Sequence, residues 1–141
     1  MTILATRMTT KTQRRSQMRS SASVRQQRAF EDFRLSVKVS GIPKDSLERF
    51  MTAGYVPQPK QLLFHSAARA CDYDNGPTDI GFGGARGPGK SHAAFAQLVL
   101  DDCQRVPELN CLFLRRVGKA ARESFEALRR NVLRGVPHHY S

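Results

Sequence analysis

Gly84-Ala85-Arg86-Gly87-Pro88-Gly89-Lys90-Ser91 matches G-x-x-x-x-G-K-[ST] at every constrained position, and the reading of the whole chain depends on it. Such a loop turns successive backbone N–H groups inward, making a concave site for anions. The helix that follows adds its positive N-terminal end. Lys90 is placed to reach the β- and γ-phosphates, and the Ser91 hydroxyl to hold Mg²⁺. Glycine is needed because a side chain would hold the backbone off the phosphates. Pro88 removes one N–H from the cradle.

The flanks give the motif its context. Ile80 and Phe82 alternate within Thr78 to Gly83, which predicts a short strand before the loop. The run Ser91 to Leu100 holds no Gly or Pro, and Ala94, Phe95, Leu98 and Val99 form a helical stripe. A flexible glycine loop with an accidental Lys-Ser pair is the bland alternative. Further on, Cys111-Leu112-Phe113-Leu114 reads as a buried strand ending in Arg115-Arg116. Lys119 to about Leu133 reads as an amphipathic helix with Ala121, Phe125, Leu128 and Val132 on one side. Strand, loop, helix, strand, helix predicts an α/β architecture: a βαβα unit of parallel strands with flanking helices, part of a P-loop nucleotide-binding fold. Upstream, short helices are expected after Pro43, ending at Gly54, and over Lys60 to Cys71, separated by the extended Pro57-Gln58-Pro59.

The chain has 141 residues and a net charge of +11. The excess is concentrated at the front. Residues 1–38 carry nine Lys/Arg against Glu31 and Asp32, whereas residues 39–141 carry fourteen against ten. Residues 1–40 are therefore read as a basic, largely disordered arm, with helix from about Val24, and residues 41–141 as the nucleotide-binding part. The arm suits nucleic acid or an acidic partner; a solvated tail and an organellar transit peptide share its composition. Cys71, Cys103 and Cys111 lack metal-ligand spacing, which favours reduced thiols in a cytosolic setting. No apolar run is long enough to span a membrane.

Three clusters carry a resemblance to a known family. They are Gly54-Tyr55-Val56-Pro57-Gln58-Pro59-Lys60-Gln61 with Phe64-His65, then Phe82-Gly83 with the phosphate loop, then Leu112-Phe113-Leu114-Arg115-Arg116 with Ser124. From about Leu47 onward the chain resembles the start of the large terminase subunit of tailed bacteriophages, the ATPase that drives DNA into a preformed capsid. That resemblance implies ATP and Mg²⁺ as ligands, bound by Gln61 and the loop residues Gly84, Ala85, Arg86, Gly87, Pro88, Gly89, Lys90 and Ser91. It implies double-stranded DNA, portal protein and small terminase subunit as partners, no membrane, and the bacterial host cytoplasm as location. Gln61 would read adenine, its alternative being a solvent-facing helix glutamine. Arg86 would stabilise the transferring phosphoryl group beside Lys90, its alternative being a surface arginine without a catalytic part. Arg115 and Arg116 would lie at a ligand-binding strand end or at a solvated one.

Hydrolysis needs acids at the end of a further strand, to hold Mg²⁺ and orient water. The family carries these well downstream of its phosphate loop, and its nuclease half follows. Leu98-Val99-Leu100-Asp101-Asp102 imitates the acidic strand, but it continues the helix from Lys90 and puts its acids at that helix's far end. The expectation is a truncated terminase that binds ATP without hydrolysing it, marginally stable on account of its open sheet edges. Two alternatives remain at this stage: another P-loop protein, such as a helicase or kinase fragment, and a basic nucleic-acid-binding module.

Overall fold

The computed structural model describes residues 11–84, 89–114 and 118–139, with side chains from Ala22 onward, Ala120 apart. The chain divides into two compact units, Met1–Leu35 and Ser36–Ser141. In the first, α1 (Lys11–Ser40) is helical well before Val24, where the sequence reading begins it. Arg25, Arg28 and Arg34 on it are exposed, as is Phe30. The last residues of α1, Ser36 to Ser40, begin the second unit.

The second unit is a cluster of helices. They are α2 (Lys44–Thr52), α3 (Pro59–Ala70), α4 (Lys90–Ala96), a π-helical segment (Gln97–Asp102), α5 (Cys103–Arg105) and α6 (Gly118–Val132). Helix α2 ends as its spacing predicts. The N–H groups of Ala53, Gly54 and Tyr55 close on the carbonyls of Arg49, Met51 and Phe50 at 2.8–3.0 Å. Helix α3 starts on a reciprocal cap in which the Gln58 N–H donates to Gln61 Oε1 at 2.8 Å, with Pro59 at the first helical position. After α3 the chain turns back so tightly that a Cβ on Gly76 would sit 1.8 Å from the Ala70 carbonyl oxygen. Only glycine fits there.

The expected α/β architecture is not what the chain builds. Among the described residues there are helices and no strand, so the βαβα unit of parallel strands is corrected to an all-helical arrangement. Neither expected strand segment has regular secondary structure, and none of the described backbone hydrogen bonds joins them into a ladder. Ile80 and Phe82 are only half-buried, and Phe82 stacks on Phe64 of α3 at 4.7 Å. Leu112 and Leu114, expected inside a sheet, are 79% and 78% exposed. Phe113 anchors that segment, edge-on to Phe95 at 6.3 Å. An apolar run of four residues can serve as buried strand or as surface segment. Its fate is set by whether a neighbouring strand accepts its hydrogen bonds.

Helix packing replaces the sheet. Phe50, Leu62, Ala93, Ala96, Phe95, Leu100, Leu128 and Val132 are buried, each larger side chain contributing about 1.5–3 kcal/mol by leaving water. Helix α6 turns inward the stripe its sequence predicts, with Leu128 and Val132 buried and Phe125 edge-on to Phe95 at 5.5 Å. Along the helical run from Lys90 the buried set is Ala93, Phe95, Ala96, Gln97, Leu100 and Asp101; of the expected stripe Phe95 is buried, whereas Ala94, Leu98 and Val99 are only half-buried. Two polar side chains occupy the inward face, which hydrophobic periodicity alone does not reveal.

Candidate functional site

Only the ends of the phosphate loop belong to the described residues. Ala85, Arg86, Gly87 and Pro88 lie outside them, as do Arg115 and Arg116. Gly84 and Gly89 both take positive φ, at 132° and 72°. Gly89 caps α4 in the left-handed conformation, and its carbonyl accepts the first helical bond, from Ala93 N–H at 2.9 Å. Lys90 opens α4 and folds back, its Nζ donating to the Gly84 carbonyl at 2.9 Å. The ammonium thus lies across the mouth of the loop. Ser91 follows on the first turn, half-buried.

Gln61 is brought to this loop from α3. It is neither solvent-facing nor open to a base on both edges. Its Nε2 donates to the Gly89 carbonyl at 3.3 Å, and its Oε1 accepts from Gln58 N–H at 2.8 Å and lies 3.3 Å from the Tyr55 hydroxyl oxygen. With one Nε2 hydrogen given to Gly89, the amide keeps a single Nε2 hydrogen to offer. Glycine is favoured at position 89 by its φ of 72°, and a Cβ there, 2.8 Å from that Nε2, would push the Gln61 amide aside.

Gln61 forms part of the wall of two cavities. One, of about 340 Å³, is lined by Tyr55, Gln58, Gly89, His92 and Asn131, with His92 stacked on Tyr55 at 5.3 Å. The other, of about 490 Å³, is lined by Lys60, Phe82, Gly83, Gly84 and Lys90. Volumes of this order suit a nucleotide-sized ligand. Neither cavity has an Asp or Glu among its described lining residues.

Behind Gly89 runs a buried polar chain that no local residue pattern signals. The Tyr55 hydroxyl meets His65 Nε2 at 3.0 Å, and His65 Nδ1 meets Gln97 Oε1 at 2.8 Å. Gln97 Nε2 donates to Asp101 Oδ2 at 3.0 Å and Asp102 Oδ1 at 2.8 Å. Since both Gln97 Nε2 hydrogens go to carboxylates, its oxygen faces His65, and His65 carries its proton on Nδ1. Burial is the main cause that pushes the His65 imidazole down to about 4, with the Gln97 bond and the Asp101 charge opposing.

The chain ends on a charged hub that joins three helical elements. Asp101, fully buried, accepts from Arg49 Nη1 at 2.6 Å and Ser46 Oγ at 2.9 Å. Arg69 Nη1 lies 3.5 Å and Arg105 Nε 3.4 Å from its Oδ1. Asp45 and Asp72 bracket the same arginines, Asp45 at 3.0 and 2.9 Å from Arg49 and Arg69, Asp72 at 3.1 and 2.9 Å from Arg69 and Arg105. The Arg69 hydrogen bond is the largest cause holding the Asp45 carboxyl down at about 2. Asp101 and Asp102 therefore serve the helix junction rather than the phosphate loop, in line with their rejection as an acidic strand. The arginines were visible in the sequence, but spacings of 24 and 52 residues between partners carry no local signal.

No family model, curated protein or solved structure matches this chain. Its function must be argued from the geometry above. Among the described residues no helix is long and apolar enough to cross a membrane.

The buried histidine makes stability acid-sensitive. With His65 held at about 4 against an ordinary 6.5, the unfolded chain binds the proton more tightly. Stability is then full above about pH 6.5 and falls as pH drops toward 4, by an order of 3 kcal/mol in total. Urea midpoints measured from pH 7.5 to 4 should track that window. His65→Gln, destabilised overall, should flatten the slope between pH 6.5 and 4.5. An unchanged slope in the variant would assign the acid sensitivity to other groups.

Proposed function

We propose that this chain is a phosphate-loop nucleotide-binding protein that takes purine nucleoside triphosphate with Mg²⁺. The observation that carries the reading is the convergence of the Gln61 amide from α3 and the Lys90 ammonium from α4 on the two ends of the glycine turn, Gly89 and Gly84. The residues fit the ligand. The Lys90 ammonium already rests against a carbonyl oxygen at the loop mouth, where a phosphate oxygen can replace it, and Lys60 lines the same cavity. Ser91 stands where a hydroxyl can complete the shell of a phosphate-bound Mg²⁺. Nucleotide binding is the activity proposed. Among the described residues no carboxylate lines either cavity to orient water.

The lone remaining Gln61 hydrogen can reach a purine N7, which adenine and guanine share. Base choice should accordingly be weak. Titrating fluorescent ATP and GTP analogues with Mg²⁺ into folded protein should give affinities within about tenfold of each other. No binding of either at millimolar concentration would end the nucleotide reading.

The three sequence clusters support a narrower form of it, a segment of a viral DNA-packaging ATPase. That form requires double-stranded DNA as second ligand, and the exposed Arg25 and Arg28 on α1 suit its phosphates. Duplex binding should weaken steeply with salt. The double variant Arg25→Gln/Arg28→Gln should lower the slope of log affinity against log salt by about 2. An unaltered slope would remove α1 from any DNA contact.

A further inference from the structure

Cys103 and Cys111 carry chemistry that nucleotide binding does not use. Cys103 opens α5 and Cys111 begins the irregular segment 111–114. The turn between them reverses the chain through Pro107 and Glu108, the latter at φ 60°. Val106 N–H closes on the Asp102 carbonyl at 2.9 Å and Leu109 N–H on that of Val106 at 3.4 Å. The result places the two Sγ atoms 3.7 Å apart, in contact, on the surface. Cys71, also exposed, instead points its Sγ at the Ala67 carbonyl of its own helix, at 3.8 Å.

We propose that Cys103 and Cys111 form a dithiol site that closes to an intramolecular disulfide by exchange with a small-molecule disulfide of the glutathione type, and reopens with the corresponding thiol. A disulfide needs its sulfurs about 2.05 Å apart, so the pair must approach by about 1.7 Å. The segment from Cys111 can supply that movement, because no ladder bonds among the described residues hold it. In the first step the Cys111 thiolate attacks one sulfur of the small disulfide. A mixed disulfide forms on Cys111 and one small thiolate leaves. In the second step the Cys103 thiolate attacks Cys111 Sγ, forming the protein disulfide and expelling the second small thiolate. Two protein thiols are oxidised and one small disulfide is reduced to two thiols, which take up the protons.

The order of attack follows from the surroundings. Burial, with help from the Cys111 thiol and the Asp102 carboxylate, pushes the Cys103 thiol up to about 11. Cys103 is consequently the slow partner, and closure should quicken by roughly tenfold per pH unit between pH 7 and 9. Once made, the bridge ties α5 to the segment whose Phe113 packs on Phe95.

The test uses the full chain, incubated with oxidised glutathione, quenched by an alkylating agent and weighed intact. The expected product takes up one alkyl group in place of the three that the three cysteines of the reduced chain accept. Trypsin without reductant should yield residues 91–105 joined to residues 106–115, since cleavage falls after Lys90, Arg105 and Arg115. Dithiothreitol should restore all three alkylations. Cys71→Ser should close as readily as the natural chain, and Cys103→Ser should retain glutathione on Cys111. Glutathione held on Cys111 of the natural chain at pH 9, chains cross-linked through Cys111, or a bridge to Cys71 would each overturn the proposal.

Discussion

Replacing Asp101 with alanine is expected to cost more stability than any other single substitution on the polar side of this molecule. The carboxylate is completely buried, yet it accepts from Ser46 and Gln97 and faces Arg49, Arg69 and Arg105. Its removal leaves the Ser46 hydroxyl without its acceptor and three guanidinium groups crowded around a void. Losing one side of a buried ion pair costs about 3–5 kcal/mol, a large share of the ~5–15 kcal/mol that holds a small domain folded. The arginines keep 14–31% of their side-chain surface in water, so part of the loss is recovered when they swing outward. A drop of about 3 kcal/mol is therefore expected at pH 7, read as a lower urea midpoint at constant slope. Asp101→Asn retains shape and acceptor but not charge, and should fall between alanine and the natural residue. A midpoint shift equivalent to less than about 1 kcal/mol for Asp101→Ala would show that the hub is not what joins α2, α3 and α5.

Replacing Lys90 with alanine is expected to lower Mg²⁺-nucleotide affinity by about tenfold to a hundredfold, or ~1.4–2.8 kcal/mol, while leaving the helices in place. The lysine's stem starts at the first residue of α4 and its ammonium spans the loop mouth at Gly84. No other described cation but Lys60 shares the cavity, and Lys60 comes from the facing helix. Arginine at position 90 keeps charge but not the compact ammonium, and should recover only part of the affinity. Ser91→Ala separates the metal from the phosphates: it should weaken binding with Mg²⁺ present and leave metal-free binding alone. Natural affinity in Lys90→Ala would refute the phosphate-loop reading directly. It would not touch the cysteine pair, which makes no use of the loop.

The helices were largely legible. Pro and Gly punctuation bounds α2 and α3, and the 3.6-residue stripe of Phe125, Leu128 and Val132 predicts which side of α6 is buried. The strands were not. Ile80, Phe82 and the run Cys111 to Leu114 have strand-like composition, but pairing is a property of two segments, and none of the described backbone bonds pairs these two. The inward face from Ala93 to Asp101 was legible only at Phe95, because Gln97 and Asp101 also point inward, to partners remote in sequence. Hydropathy scores such residues as surface.

The order of residues by itself determined the phosphate-loop signature, the helix ends and the uneven distribution of basic charge, since each is a matter of nearest neighbours along the chain. Only the tertiary structure decided that Gln61 closes on Gly89, that His65 is buried neutral between Tyr55 and Gln97, that Asp101 gathers three arginines, and that two thiols eight positions apart touch. These are contacts between helices or across a turn. Their free energy depends on distance and exclusion of water, which no local pattern of residue types encodes.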